Sequence, residues 1–460
     1  MVDSLSPLDV SFLYFEESRT PMHVGSVAIF EPVDGHTVDY EGLVRLIEDR
    51  ISLVPRYRQR VHRVPGNLAS PVWVDDEAFD VTFHVRRSAL PRPGTEEQLD
   101  ELVGRVMSRP LDKARPLWEM YLVEGLAGGR FAVITKTHHA MVDGIGAVEI
   151  GQVILDVTPE PRDIPADEWV PHRPPSDLEL VTHALGQLAL RPTAVVDLAR
   201  RAVLDVRRTT ARIGGVFAAA RTMARQAPPS PLNVAIGEQR RFARVDTSLD
   251  DYRHIRKAHG GTVNDVVLAV VSGALRSWLM TRGEAVRSST VVRAMVPVSV
   301  RRPGIGDDIA GNQIAALLVD LPVGEISPAV RLHRVGYAMR AHQESGQSVA
   351  AQALAGIAGF APPTLHALGA RVAAGLSRRL FNLVVTNVPG PQRPLYAAGA
   401  RLVRAYPVVP LAPGQALAIG VTSYDGGVYY GLWADRDAMS DLGVLAQCLE
   451  DSLTELLETV

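Results

Sequence analysis

The chain has 460 residues, 47% of them hydrophobic and 22% charged, with a net charge of −3 and one cysteine, Cys448. That length predicts two domains rather than one. The near-neutral balance offers no chain-wide surface for nucleic acid, and a single thiol excludes an internal disulfide. The opening residues Met1 to Asp9 have neither the basic region nor the apolar run of a secretory signal. Two uncharged stretches come nearest to a membrane span. Ser345 to Ala370 is rich in Ala and Gly and broken by Pro362-Pro363, and Ala405 to Tyr424 is broken by Pro407, Pro410 and Pro413. Neither is the run of about 20 strongly apolar residues that spanning requires, so any membrane contact is expected to be peripheral.

In chain order, Thr95 and Gln98 have the spacing of a capping box for a helix running toward Met107. Leu117 to Leu126 and Phe131 to Thr137 read as strands joined by a hairpin at Ala127-Gly128-Gly129-Arg130. A short loop follows His138-His139, and Ile145 to Val157 reads as a helix. The proline-rich, acidic stretch Pro159 to Pro175 marks a domain edge.

Leu178 to Arg225 reads as helices, and within it eight arginines between Arg191 and Arg225 are interleaved with apolar residues. A connector with some affinity for an anionic lipid surface is the expectation for such a basic amphipathic region. Thr262 to Met280 reads as a helix, followed by strands at Thr290 to Val300, Asn312 to Leu321, Asn382 to Val388, Ala416 to Tyr424 and Val428 to Trp433. The last helix carries Leu442, Leu445, Leu449, Leu453 and Leu456 at helical spacing, with Cys448 in the same core. Mixed elements in both halves predict an α/β or α+β chain, divided as 1–165, a basic helical crossover over 166–235, and 236–460.

The segment that carries chemistry is Lys136-Thr137-His138-His139-Ala140-Met141-Val142-Asp143-Gly144, an HHxxxDG pattern. Adjacent strand residues point to opposite faces, so only one histidine can face a given channel. A neutral imidazole can take the proton of a hydroxyl as it attacks a carbonyl. Asp143 could orient that imidazole, brace the loop or cap the next helix, and Gly144 allows a backbone shape or approach that a side chain would block. Two bland readings stand beside this one: a structural His-His pair, or a metal site from His138, His139 and Asp143. No fourth ligand cluster is evident for the latter, and the spacing is not that of a helical zinc motif. No G-x-S-x-G elbow, Walker A or dinucleotide fingerprint competes.

At this motif the chain resembles the bacterial wax ester synthase/diacylglycerol acyltransferase family. Other stretches agree in order: Leu8-Asp9 with Pro21 to Gly25, Pro116-Leu117-Trp118, Asn264-Asp265, and Asn387-Val388-Pro389-Gly390-Pro391. The resemblance implies two chloramphenicol-acetyltransferase-like domains with a channel between them for long-chain acyl-CoA and a diacylglycerol or fatty alcohol. It implies His139 as general base, His138 and Asp143 as structural, direct attack on the thioester, no acyl-enzyme, and no cofactor beyond acyl-CoA as co-substrate. It also makes Gly144, Pro116, Leu117, Trp118, Asn264, Asp265 and Asn387 candidates for substrate contact. Plainer roles stay open for several of these: core for Trp118, helix start for Asn264-Asp265 with Thr262 as cap, and a turn after a strand at Asn387. A cytoplasmic enzyme at the inner face of the membrane or on lipid inclusions follows from the implied substrates. Carrier-linked acyl transfer and a non-catalytic lipid-binding protein are the alternatives.

Overall fold

The computed structural model describes residues 3–33, 38–142, 150–165, 169–182, 226–300, 313–344 and 380–460. Asp143, Gly144, the arginine-rich stretch from Arg191 to Arg225, and Ser345 to Ala370 lie outside the described residues.

The first half supplies β1 (Asp3–Ser4), α1 (Pro7–Phe15), β2 (His23–Glu31), α2 (Tyr40–Arg50), β3 (Gln59–His62), β4 (Val72–Asp75), α3 (Val81–His84), β5 (Val85–Ala89), α4 (Glu96–Ser108), β6 (Trp118–Glu124), β7 (Phe131–His138), α5 (His139–Val142) and α6 (Ile150–Val153). The second half supplies β8 (Arg240–Ser248), α7 (Leu249–His259), α8 (Val263–Thr281), β9 (Val292–Val300), β10 (Gln313–Leu321), α9 (Pro328–Glu344), β11 (Leu383–Pro389), β12 (Tyr396–Ala397), β13 (Ala400–Val408), β14 (Leu417–Tyr424), β15 (Gly427–Asp435) and α10 (Leu442–Leu457).

Two mixed six-stranded sheets form the frame, ordered β12-β13-β2-β7-β6-β5 and β10-β9-β11-β14-β15-β8, with a small sheet β1-β4-β3 beside the first. Every residue of β7 is buried, as are the first six of β6. These strands are therefore covered on both faces, and even their polar residues Glu119, Lys136 and His138 are buried. Helix α4 starts at the Thr95–Gln98 capping box and buries Leu99, Leu102, Val103, Val106 and Met107 along one face. Helix α8 starts at a capping box between Thr262 and Asp265. Among the described residues it is the one helix long and apolar enough to cross a bilayer, and 72% of that window is buried in the protein core, against α10 and α9.

The chain crosses between the sheets. β13, from the second half, pairs antiparallel with β2 from Arg401↔Glu31 to Val408↔Gly25, and so extends the sheet that carries β7. β13 then lies across β14 and β15 at a cross-strand pair of glycines, Gly420↔Gly431. A Cβ at Gly431 would run into the Pro407 carbonyl, so only glycine lets the two layers approach this closely. Polar contacts fasten the same seam. Arg244 on β8 pairs with Glu96 and Asp100 on α4 at 3.0 and 2.6 Å, and Arg404 on β13 pairs with Glu96 and Asp246 at 3.0 and 3.1 Å.

One predicted helix is shorter in the structure. Of the stretch Ile145 to Val157, the described part is helical only over Ile150–Val153. The chain then extends so that Asp156 exchanges backbone hydrogen bonds with Tyr396 at 2.7 and 2.9 Å. The Asp156 carboxylate also binds the buried Arg50 guanidinium at 2.7 Å.

Candidate active site

The two histidines stand where β7 ends and α5 begins. Main-chain bonds fix both positions. The His138 N–H donates to the Leu117 carbonyl at 2.9 Å, and the His139 N–H donates to the Met22 carbonyl at 2.8 Å. The pairing His23↔His138 carries the strand one residue beyond the predicted Phe131 to Thr137 segment, so the pair sits at the last rung.

The side chains part company there, as alternation requires. His138 is fully buried. Its Nδ1 accepts the Ala140 N–H at 3.1 Å, which puts the ring proton on Nε2, aimed at the Glu16 carboxylate 3.7 Å away. Glu16 is buried and forms an ion pair with Lys113 at 2.5 Å. Burial, then the neighbouring His139 and Lys113, push the His138 imidazole down to about 3, so it stays neutral wherever an enzyme of this kind works. A group that cannot take a proton at neutral pH is no general base. His138 instead caps the first turn of α5 from inside. His139 is half-buried, and its ring stacks on Phe12 of α1 with centroids 4.1 Å apart and planes 22° apart. Of the two imidazoles, His139 is the one with access to solvent-side space.

Pro116, Leu117 and Trp118 are all buried beneath this point. The indole N–H of Trp118 donates to the Tyr57 carbonyl at 2.8 Å, and its ring stacks on His84 at 4.6 Å. The Tyr57 hydroxyl in turn accepts the Ile150 N–H at 3.0 Å, across the far end of the His-containing loop. Pro116, Leu117 and Trp118 are packed core in this structure, the plainer role left open for Trp118, and the Leu117 carbonyl fixes the main chain at His138. Lys136, in the same strand, is also sealed, with its ammonium on the Val106 and Arg109 carbonyls at 3.3 and 2.5 Å and near Glu119 at 3.4 Å. Burial lowers its proton affinity despite that carboxylate.

Asn264, Asp265 and Asn387 come together in the second half. The Asn387 side-chain amide donates to Asn264 Oδ1 at 3.1 Å, tying the end of β11 to the first turn of α8. Asp265 Oδ2 accepts the Thr262 N–H at 2.8 Å, so that carboxylate is occupied by the cap. All three line a cavity of about 970 Å³ whose wall also carries Arg253, Arg256 and Arg340 against a single acid, Asp265. No cluster of three metal-ligating side chains exists among the described residues. Phe12, Glu16, Lys113 and Tyr57 are site residues that sequence reading missed. Only Phe12 and Glu16 carried any signal, since they follow directly on Leu8-Asp9 of the family-like opening.

Two interlocked mixed sheets with an accessible histidine at a strand end define the class of fold. It is shared with the first condensation domain of the calcium-dependent antibiotic synthetase at TM-score 0.59 and 18% identity, over 99% of this chain and 97% of that one. Residues 5–267 match the wax ester synthase/diacylglycerol acyltransferase catalytic domain, and residues 310–457 match the C-terminal domain of the same family. The chain belongs to that family. It is 35% identical, over the whole of both chains, to a probable diacylglycerol O-acyltransferase, tgs2, of Mycobacterium tuberculosis. It is 32% identical to the probable diacylglycerol O-acyltransferase tgs1 of the same species, over 99% of this chain and 96% of that protein. The solved wax ester synthase/diacylglycerol acyltransferase from Marinobacter aquaeolei VT8 superposes at TM-score 0.69 with 30% identity, covering 98% of each chain.

Proposed function

We propose that the protein transfers a long-chain acyl group from acyl-CoA to the free hydroxyl of diacylglycerol, yielding triacylglycerol and CoA, with fatty alcohols as a second acceptor class that gives wax esters. The observation that carries this reading is the accessible His139 at the strand end of a family member, next to a His138 held neutral by burial. His139 takes the hydroxyl proton as the alcohol oxygen attacks the thioester carbonyl. The tetrahedral adduct then expels the CoA thiolate, and the imidazolium returns the proton to sulfur. No bond to the protein forms. The cavity carries Arg256 and Arg340, with Arg253 paired to Asp250 at 2.8 Å, and so has positive charge to hold the phosphates of CoA, which favours a CoA-borne donor. Diacylglycerol and long-chain alcohols live in a bilayer or lipid inclusion, so the proposed location is the cytoplasmic face of the membrane or the surface of such inclusions. Beyond acyl-CoA, no cofactor is proposed.

The test is release of CoA from palmitoyl-CoA with and without diacylglycerol, in wild type and a folded His139→Ala variant. Acceptor-dependent release that the variant loses, by about 100-fold or more, supports direct transfer. No release with either diacylglycerol or hexadecanol would move carrier-linked transfer or lipid binding to the front. Flotation with anionic and neutral vesicles tests the membrane location.

A further inference from the structure

We infer that Phe12 is a positioning residue for His139, and that α1 is the element that aligns both histidines; this rests on His139 acting as the base. The Phe12–His139 stack is the tightest ring pair among the described residues, at 4.1 Å and 22°. The main chain at His139 is pinned by its bond to Met22 and by the Ala140 bond to His138. Neither bond fixes the plane of the His139 ring, because an sp³–sp² torsion is broad and nearly two-fold. An aromatic face parallel to the imidazole does fix it. It covers one face of the imidazole and holds its plane.

The support is itself held at both ends. Ser6 and Asp9 form a reciprocal capping box at 3.1 and 3.3 Å, with Leu5 and Val10 buried on either side. At the other end the Glu16 N–H donates to the Phe12 carbonyl at 3.2 Å. The Glu16 carboxylate then accepts the Met22 N–H at 3.4 Å, pairs with Lys113 at 2.5 Å and faces His138 at 3.7 Å. One short helix therefore presents Phe12 to the base and Glu16 to its buried neighbour. The Met22 residue that Glu16 holds is the same one whose carbonyl receives the His139 N–H.

Phe12→Leu keeps an apolar side chain of similar size but cannot stack, whereas Phe12→Tyr keeps the ring. The two variants are compared with wild type and His139→Ala for kcat and for KM toward palmitoyl-CoA and diacylglycerol. The rate of diethyl pyrocarbonate modification of His139 is measured in parallel, as a readout that needs no turnover. The expected result for Phe12→Leu is a kcat about tenfold lower, both KM values unchanged, the melting temperature within a few degrees of wild type, and faster modification of His139. Phe12→Tyr is expected to recover most of kcat and the wild-type modification rate. Wild-type kcat and wild-type modification in Phe12→Leu would overturn the inference. So would equal loss in Leu and Tyr variants with a matching fall in melting temperature, which marks Phe12 as core filling. If wild type itself transfers no acyl group, the functional proposal fails, while the modification rates still decide whether Phe12 orders the ring.

Discussion

Trp118→Phe separates a structural from a substrate-binding role for the Pro116-Leu117-Trp118 segment. Trp118 is wholly buried, and its indole N–H satisfies the Tyr57 carbonyl at 2.8 Å. Phenylalanine cannot donate, and a buried carbonyl left without its donor costs about 1–2 kcal/mol. The smaller ring gives up roughly 40 Å² of buried apolar surface, about 1 kcal/mol at 25 cal/mol/Å². The void it leaves adds up to about another 1 kcal/mol. The sum is about 2–4 kcal/mol. For 460 residues unfolding together, the entropy of unfolding is on the order of 1 kcal/mol per kelvin, so the melting temperature is expected to drop by about 2–4 °C. Because the side chain has no ligand-facing surface, KM for both substrates is expected to stay at wild-type values below the transition, with kcat within about threefold, the residual effect of a small shift in His138. Calorimetry and steady-state kinetics on the same preparation check this. A wild-type melting temperature with a KM raised tenfold would refute the core assignment and return Trp118 to the substrate channel.

Three further outcomes are expected. The His138 imidazole lies at about 3 when folded, against an ordinary 6.5. Between those values the unfolded chain holds a proton that the folded chain lacks, so this contribution to stability is complete above about 6.5 and is lost as pH falls toward 3. His138→Asn keeps an acceptor for the Ala140 N–H but does not titrate, and denaturant midpoints across pH 3–7 should therefore show a shallower acid slope; an unchanged slope counts against burial of the neutral ring. Replacing Arg256 and Arg340 together with alanine is expected to raise KM for palmitoyl-CoA at least tenfold while KM for diacylglycerol holds, measured by thiol release; unaltered KM for both would empty the cavity of its assigned role. Gly431→Val is expected to yield little folded protein, since its side chain meets the Pro407 carbonyl, and soluble expression with wild-type circular dichroism would contradict the layer contact.

The chemistry was legible in the chain because it is local. His138 and His139 are neighbours, so strand alternation alone sends them to opposite sides, and reading the order of the motifs was enough to name the family. The Thr95–Gln98 capping box and the Thr262 cap were visible because each lies within one helical turn, and the leucines of α10 repeat at the helix period. Strand β13 was not legible in this way. It pairs with β2 across some 370 residues of chain, and its own pattern of half-buried positions names no partner. Nor could local pattern tell whether Trp118 faces a channel or the core, since a large apolar side chain on a strand suits either. Glu16, Lys113 and His138 are brought together from three separate elements, and Phe12 reaches His139 only because α1 is anchored at both ends. The sequence by itself determined the reactive pair, the helix starts and the family. The tertiary structure decided which histidine is sealed, which is stacked and open, and how the second half completes the first half's sheet. Burial and pairing between distant segments depend on what packs opposite, and a residue does not carry that information in its own neighbourhood.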